Sequence, residues 1–138
     1  MIRLDHKPQL FSFRVAALVM RNDHLLVHRS LTDSYWSLPG GRAEIGETSE
    51  QTLKREMREE LGVEVGLGDE LVGPDDGCWR LTETYTMRLW RAELVAGEPQ
   101  PLVEHDALRW LPAGRWLTVP WLDADVRIVE ALAASHRP

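Results

Sequence analysis

The spacing of hydrophobic positions changes character as the chain proceeds. FSFRVAALVM, Phe11 to Met20, is almost continuously apolar and rich in β-formers, the pattern of a buried strand. Asn22 and Asp23 follow with turn chemistry, and LLVHR, Leu25 to Arg29, reads as the hairpin partner. YWSLPGG is a short strand ended by Pro39, Gly40 and Gly41. From Thr48 the period becomes helical. Leu53, Met57 and Leu61 recur at i, i+4 and i+8, Thr48 and Gln51 match a capping box, and Gly62 stops the helix. Val63 to Leu71 reads as a strand, and Gly73 to Gly77 as a turn. Trp79 to Leu94 alternates and predicts one long or bulged strand, and Ala107 to Leu111 another. The tail predicts a closing helix capped by Asp123, with Val129 and Leu132 among its buried positions. No repeat, low-complexity tract or linker interrupts the order. The expected fold class is therefore α/β, a mixed sheet covered by helices, in a single domain spanning residues 1–138.

Charge narrows the partners. The formal net charge is −6, and no basic stripe stands out, which argues against a nucleic-acid polymer. A small polyphosphate remains compatible, because a bound cation neutralises it locally. Cys78 is the sole cysteine, so neither an internal disulfide nor a thiolate metal site is expected. The N-terminal residues lack a signal-peptide pattern, and Val15 to Met20 is too short to span a bilayer. The expectation is a cytoplasmic protein without a membrane partner.

The acids then demand an explanation. Gly41 to Val63, GRAEIGETSEQTLKREMREELGV, carries six of them. On a helix advancing 100° per residue, Glu56, Glu59 and Glu60 lie at i, i+3 and i+4 and share a face distinct from the Leu53–Met57–Leu61 stripe. One reading is a solvated face whose Lys54, Arg55 and Arg58 offset the acids. The other is a hard-cation site, since clustered carboxylates on a rigid element suit Mg²⁺ or Mn²⁺.

The same segment resembles the Nudix hydrolase signature, G-x5-E-x7-R-E-U-x-E-E-x-G-U, where U is a bulky aliphatic residue. Gly41, Glu47, Arg55, Glu56, Met57, Glu59, Glu60, Gly62 and Val63 fill every specified position. Seven of these are fixed letters, and at roughly 7% per letter a chance match is about 10⁻⁸ per starting position, so the likeness is specific. The resemblance implies an α/β/α sandwich with a mixed β-sheet. It implies Glu56, Glu59 and Glu60 as metal ligands, the carbonyl of Gly40 as a further ligand, and Arg55 with Glu47 as the pair that orients the carboxylates. It also implies hydrolysis of a nucleoside diphosphate linked to another moiety, by water attack at phosphorus.

Outside the signature, Glu104 lies six residues before Trp110, a spacing similar to the MutT-like branch, where an acid ahead of the last strand serves the site. Glu83 is the rival, although its parity with Leu81, Tyr85 and Met87 is odd for an acid. Arg29 closes the second strand near the signature loop and is a candidate phosphate contact. The histidines, His28 and His105 among them, show no metal spacing. Trp36 and Trp121 are candidates to flank a base by stacking. The tail VPWLDADVRIVEAL resembles the end of MutT-like nucleoside triphosphate pyrophosphohydrolases, including cytidine triphosphate-preferring relatives. There a polar residue at the start of the last helix reads the base, and Asp125 fills that position; in members acting on oxidised guanine it is asparagine. The expected activity is cleavage of a nucleoside triphosphate to monophosphate and pyrophosphate, by a monomer or homodimer. The alternatives are a nucleotide sugar, ADP-ribose or a dinucleoside polyphosphate as substrate, or a non-catalytic nucleotide-binding module.

Overall fold

A computed structural model describes residues 13–30, 34–81, 85–101 and 105–135. Glu83 and Glu104, the two candidate acids beyond the signature, lie outside the described residues. The elements run β1 (Phe13–Arg21), β2 (His24–Ser30), β3 (Trp36–Ser37), β4 (Gly40–Arg42), α1 (Ser49–Leu61), β5 (Glu64–Glu70), β6 (Trp79–Arg80), β7 (Thr86–Ala96), β8 (His105–Pro112) and α2 (Asp123–Ser135).

β1 organises the rest. Along one side it pairs antiparallel with β4, Arg14 opposite Arg42 and Ala16 opposite Gly40. Along the other it runs parallel to β7, from Phe13 opposite Thr86 to Val19 opposite Ala92. At its end Met20 and Arg21 turn through Asn22 and Asp23, both at positive φ, into β2, which also pairs with β3 and β8. β5 and β6 both lie antiparallel to β7. The sheet is mixed, and β1 is buried on both faces, which explains its continuous apolar run. Strand parity sorts the core. Phe13, Val15, Ala17 and Val19 face α1 and meet Leu53, Met57 and Leu61. Ala16 and Leu18 face α2 and meet Ile128, Val129 and Leu132. This is an α/β sandwich with one helix on each face.

The region expected as one strand from Trp79 to Leu94 is instead a hairpin. Trp79 lies opposite Met87 and Arg80 opposite Thr86, and the Leu81 N–H donates to the Tyr85 carbonyl at 2.8 Å. The turn was hidden because Leu81 to Tyr85 contains no Gly, Pro, Asn or Asp, and because folding back preserves the alternation. The closing helix begins at Asp123, which is its first helical residue.

α1 follows its sequence cues. Thr48 Oγ1 accepts from the Gln51 N–H at 3.2 Å, and Gln51 Oε1 accepts from the Thr48 N–H at 3.0 Å, closing the capping box. At the other end Gly62 sits at φ 70°, and its N–H and that of Val63 take up the carbonyls of Arg58 and Met57. Among the described residues no helix is long and apolar enough to cross a membrane. The cap yields a stability prediction. Thr48→Ala should cost about 1 kcal/mol, and Thr48→Ser only a small part of that, in urea unfolding. Equal losses would show that the threonine methyl, rather than its hydroxyl, holds the helix start.

Candidate active site

Arg55 projects from the middle of α1 and gathers the acids. Its Nε and Nη2 form a two-pronged pair with Glu47, 2.8 Å to Oε2 and 2.9 Å to Oε1. Its Nη1 lies 2.8 Å from Glu56 Oε1 and 3.5 Å from Glu59 Oε2, and its Nη2 also reaches the Arg42 carbonyl at 3.1 Å. Glu47 sits just before the N-cap, so the capping geometry presents its carboxylate to Arg55. The Glu44 N–H (2.8 Å) and the Thr52 hydroxyl (3.0 Å) lie against the same carboxylate. The double hydrogen bond from Arg55 draws the Glu47 carboxyl down to about 2, against the opposing effect of lost water. The same contacts raise Arg55 further above its already high range. This is a partly buried, fully hydrogen-bonded ion pair, unlike a surface salt bridge of little worth.

Glu60 lies on the side of the cluster away from Arg55. Its Oε1 accepts from the Gly40 N–H at 3.2 Å. Its carboxyl is pushed up to about 8, first by lost water and then by the charge of neighbouring Glu56, while the Gly40 N–H and the charge of Arg14 pull the other way. Glu56 and Glu60 are neighbours on successive turns of α1, and the charge of Glu56 works against ionisation of Glu60. A cation is one way to hold two carboxylates together, and the all-oxygen donor set matches a hard divalent ion. Glu59 is turned toward Arg55 with more than half of its side chain exposed, and among the described residues no three acidic or histidine side chains already converge on one point. The two-carboxyl unit of Glu56 and Glu60, beside the Gly40 backbone, is the part of the expected metal site that the structure assembles.

Gly41 is bare for a reason legible only in three dimensions. A Cβ there would lie 2.3 Å from Glu56 Cδ, so the carboxylate occupies the space a side chain would need. At Gly40, φ is 154° and a Cβ would fall 2.0 Å from the Val15 carbonyl, so only glycine allows β4 to approach β1.

Around the β4 edge lies a cavity of about 560 Å³ on the α2 face of the sheet. Arg14 and Ala16 of β1, Met87 of β7, and Trp79, Leu81 and Tyr85 of the hairpin form one side, and Asp125 and Ile128 of α2 the other. Asp125 belongs to the buried stripe of α2, with Ile128, Val129 and Leu132. Its Oδ2 accepts from the Leu38 N–H at 2.8 Å, tying α2 to the segment that leads into Gly40. Burial raises its carboxyl to about 6, against the Leu38 N–H and Arg14, which favour the ionised form. Trp36 and Trp121, expected as stacking candidates, are buried in the α2-side core and do not line the cavity. Trp36 is strapped between β2 and the Pro120–Leu122 backbone, with Arg29 and Arg109 over its ring at 5.1 and 4.6 Å. Burying these large rings holds the wall behind the cavity, and Trp79 and Tyr85 supply the aromatic surface facing it. Arg29, expected at a phosphate, spreads over Trp36. Arg14 was not anticipated: among apolar neighbours on a strand it gives no local signal, and only the topology brings it to the site.

The sequence matches the NUDIX domain over residues 11–132. The chain belongs to the NUDIX family. It is 43% identical over 93 residues to the "Putative 8-oxo-dGTP diphosphatase 2" of Mycobacterium tuberculosis, a match covering 65% of this chain and 62% of that protein's length. It is 30% identical over 125 residues to the CTP pyrophosphohydrolase of Escherichia coli, covering 87% of this chain and 90% of the relative. Among solved structures, the solution structure of the E. coli ORF135 protein superposes with a TM-score of 0.73 at 29% identity, over 94% of this chain and 95% of that one. NUDIX hydrolases generally use divalent metals.

Two predictions follow from the geometry. Gly41→Ala meets only the far end of a flexible glutamate, so folding stability should change by less than about 1 kcal/mol while turnover falls at least about tenfold. A variant with full turnover would show that the Glu56 position is not critical. For Asp125 the folded carboxyl, at about 6, lies above its ordinary 3.8. The folded state thus binds the proton more tightly, and stability falls as pH rises from about 4 to 6, by on the order of 3 kcal/mol at most. Asn keeps an acceptor for the Leu38 N–H and carries no charge. Asp125→Asn should therefore be more stable than wild type at pH 7, with the gap closing near pH 4 in urea unfolding. A gap independent of pH would mean that ionisation is not its cause.

Proposed function

We propose that this NUDIX domain, accounting for the whole 138-residue chain, is a MutT-like nucleoside triphosphate pyrophosphohydrolase of the cytoplasm that uses Mg²⁺ or Mn²⁺ and releases a monophosphate and pyrophosphate. The observation carrying this reading is the junction of two features across the β4 edge: the Arg55-organised carboxylates on one side, and the cavity floored by Asp125 on the other. Glu56 and Glu60, with Glu59 and the Gly40 backbone beside them, are the groups that would hold the metal. Bound there, a divalent cation supplies the positive charge that neutralises pyrophosphate oxygens otherwise repelling a nucleophile. Arg55 and Glu47 keep the carboxylates in place, acting on the reaction only through them.

The cavity walls of Trp79, Leu81, Tyr85 and Met87 offer an apolar slot for a base, with Asp125 at its end. One carboxylate oxygen is engaged by Leu38, and an ionised carboxylate only accepts hydrogen bonds. It therefore favours a base presenting an exocyclic amino group, such as N4 of cytosine, and disfavours the carbonyl of uracil or thymine. The named activities of the two relatives, on CTP and on 8-oxo-dGTP, support a nucleoside triphosphate as the substrate class.

The test is product identification with Mg²⁺ on a panel of canonical and oxidised nucleoside triphosphates, nucleotide sugars, ADP-ribose and dinucleoside polyphosphates. Pyrophosphate should be released from triphosphates, dCTP should be turned over better than dUTP, and Glu60→Gln should lose orders of magnitude in kcat while remaining folded. Hydrolysis confined to nucleotide sugars or dinucleotides would replace the triphosphate reading. Full activity of Glu60→Gln would remove Glu60 from the metal site. Equal turnover of dCTP and dUTP would remove Asp125 from base selection.

A further inference from the structure

Two arginines face each other where the cavity meets the carboxylates. Arg14 of β1 and Arg42 of β4 are direct cross-strand partners, so their side chains leave the same face of the sheet. Like charges directly opposite in a sheet are destabilising. Among the described residues neither closes an ion pair. Arg14 is half-buried and lines the cavity, and its charge is felt by Glu60 in the carboxylate cluster and by Asp125 at the cavity's far side. Arg42 is exposed, with its guanidinium 5.7 Å over the ring of Tyr85, another cavity residue, while its carbonyl is held by Arg55. The pair thus spans the path from the base slot to the cluster.

We propose that Arg14 and Arg42 form a clip for the phosphate nearest the nucleoside, with an anion between the two guanidiniums relieving their repulsion. This deepens the triphosphate reading and rests on it. A ligand with its base against Asp125 and its terminal phosphates at Glu56 and Glu60 must carry its first phosphate past Arg14. Guanidinium suits that contact because its planar fork binds phosphate oxygens in pairs. The clip would help a chain of net charge −6 accept an anionic ligand by setting two positive charges beside the path of its first phosphate.

The experiment is calorimetric binding of the α,β-methylene analogues of CTP and GTP, which resist cleavage between the first two phosphates, alongside cytidine and guanosine, in Mg²⁺. The proteins are wild type, Arg14→Gln, Arg14→Lys and Arg42→Gln. Arg14→Gln should weaken an analogue by roughly 10- to 100-fold, the worth of a charged hydrogen bond, and Arg14→Lys by less. Nucleoside binding should fall far less than analogue binding, a difference that a merely structural role for Arg14 would not produce, since a disturbed cavity loosens both kinds of ligand alike. If Arg14→Gln does not fold, Arg42→Gln on the exposed edge tests the same clip and should also weaken only the phosphate-bearing ligands. Analogue affinity retained within about twofold in the folded variants, or equal loss for analogue and nucleoside, overturns the clip. Failure of the wild type to bind any analogue overturns the triphosphate reading beneath it, and with it the clip.

Discussion

Everything at this site depends on where one guanidinium is held. Arg55 has neighbours on two elements and can satisfy them together only if Glu47 arrives from the loop at the correct height above the helix. The capping box sets that height. Thr48 ends the loop and starts the helix, and Glu47 immediately before it is turned back over the first turns, within reach of Arg55 and Thr52. The chain of cause runs from a local hydrogen-bond pattern, through a partly buried ion pair, to the position of Glu56. Without Glu47, Arg55 would be a partly buried cation with one strong partner fewer, and a half-satisfied network is costly.

β1 transmits the second constraint. Its odd residues pack on α1 and its even residues on α2, so the carboxylates and the cavity belong to opposite faces of one sheet. They meet only because β4 is a three-residue edge strand around which the site can wrap. Gly40 permits the close approach, its N–H reaches Glu60, and two residues earlier the Leu38 N–H reaches Asp125. The Leu38–Gly40 segment is therefore gripped by a carboxyl from each helix. This gives Asp125 a structural task in addition to any contact with a base, and accounts for an acid in an otherwise apolar helix stripe.

What the sequence disclosed and what it hid follow the range of the interactions. α1 was legible because its cap, stripe and stop are encoded within a few residues of one another. The carboxylate face was legible because helical geometry converts spacing into adjacency. The hairpin after Trp79 was not, because its turn lacks the usual breakers and keeps strand parity. Trp36 and Trp121 misled because a tryptophan's apolar area serves a core as well as a stacking surface, and only the pairing of Trp36 with the Pro120–Leu122 backbone decides between them. Arg14 gave no signal at all: its meaning comes from Arg42, 28 positions away in the chain, and from Asp125, 111 positions away.

The distribution of charge then reads as a consequence of the proposed chemistry. Two carboxylates set side by side repel, and burial together with the charge of Glu56 pushes the Glu60 carboxyl up to about 8. Two guanidiniums set side by side also repel, and Arg14 and Arg42 lie in register on neighbouring strands. Neither arrangement is explained by stability, since each would be improved by replacing one member with a neutral residue. They would become complementary if Glu56 and Glu60 held a divalent cation and Arg14 and Arg42 faced the phosphates of the substrate. A metal bound there would favour the ionised form of Glu60, whose carboxyl is pushed up, so metal affinity should be coupled to pH. On that proposal the acid-rich helix and the arginine pair would be two halves of one counter-charge pattern, and the local frustration in each would be relieved by the ligands.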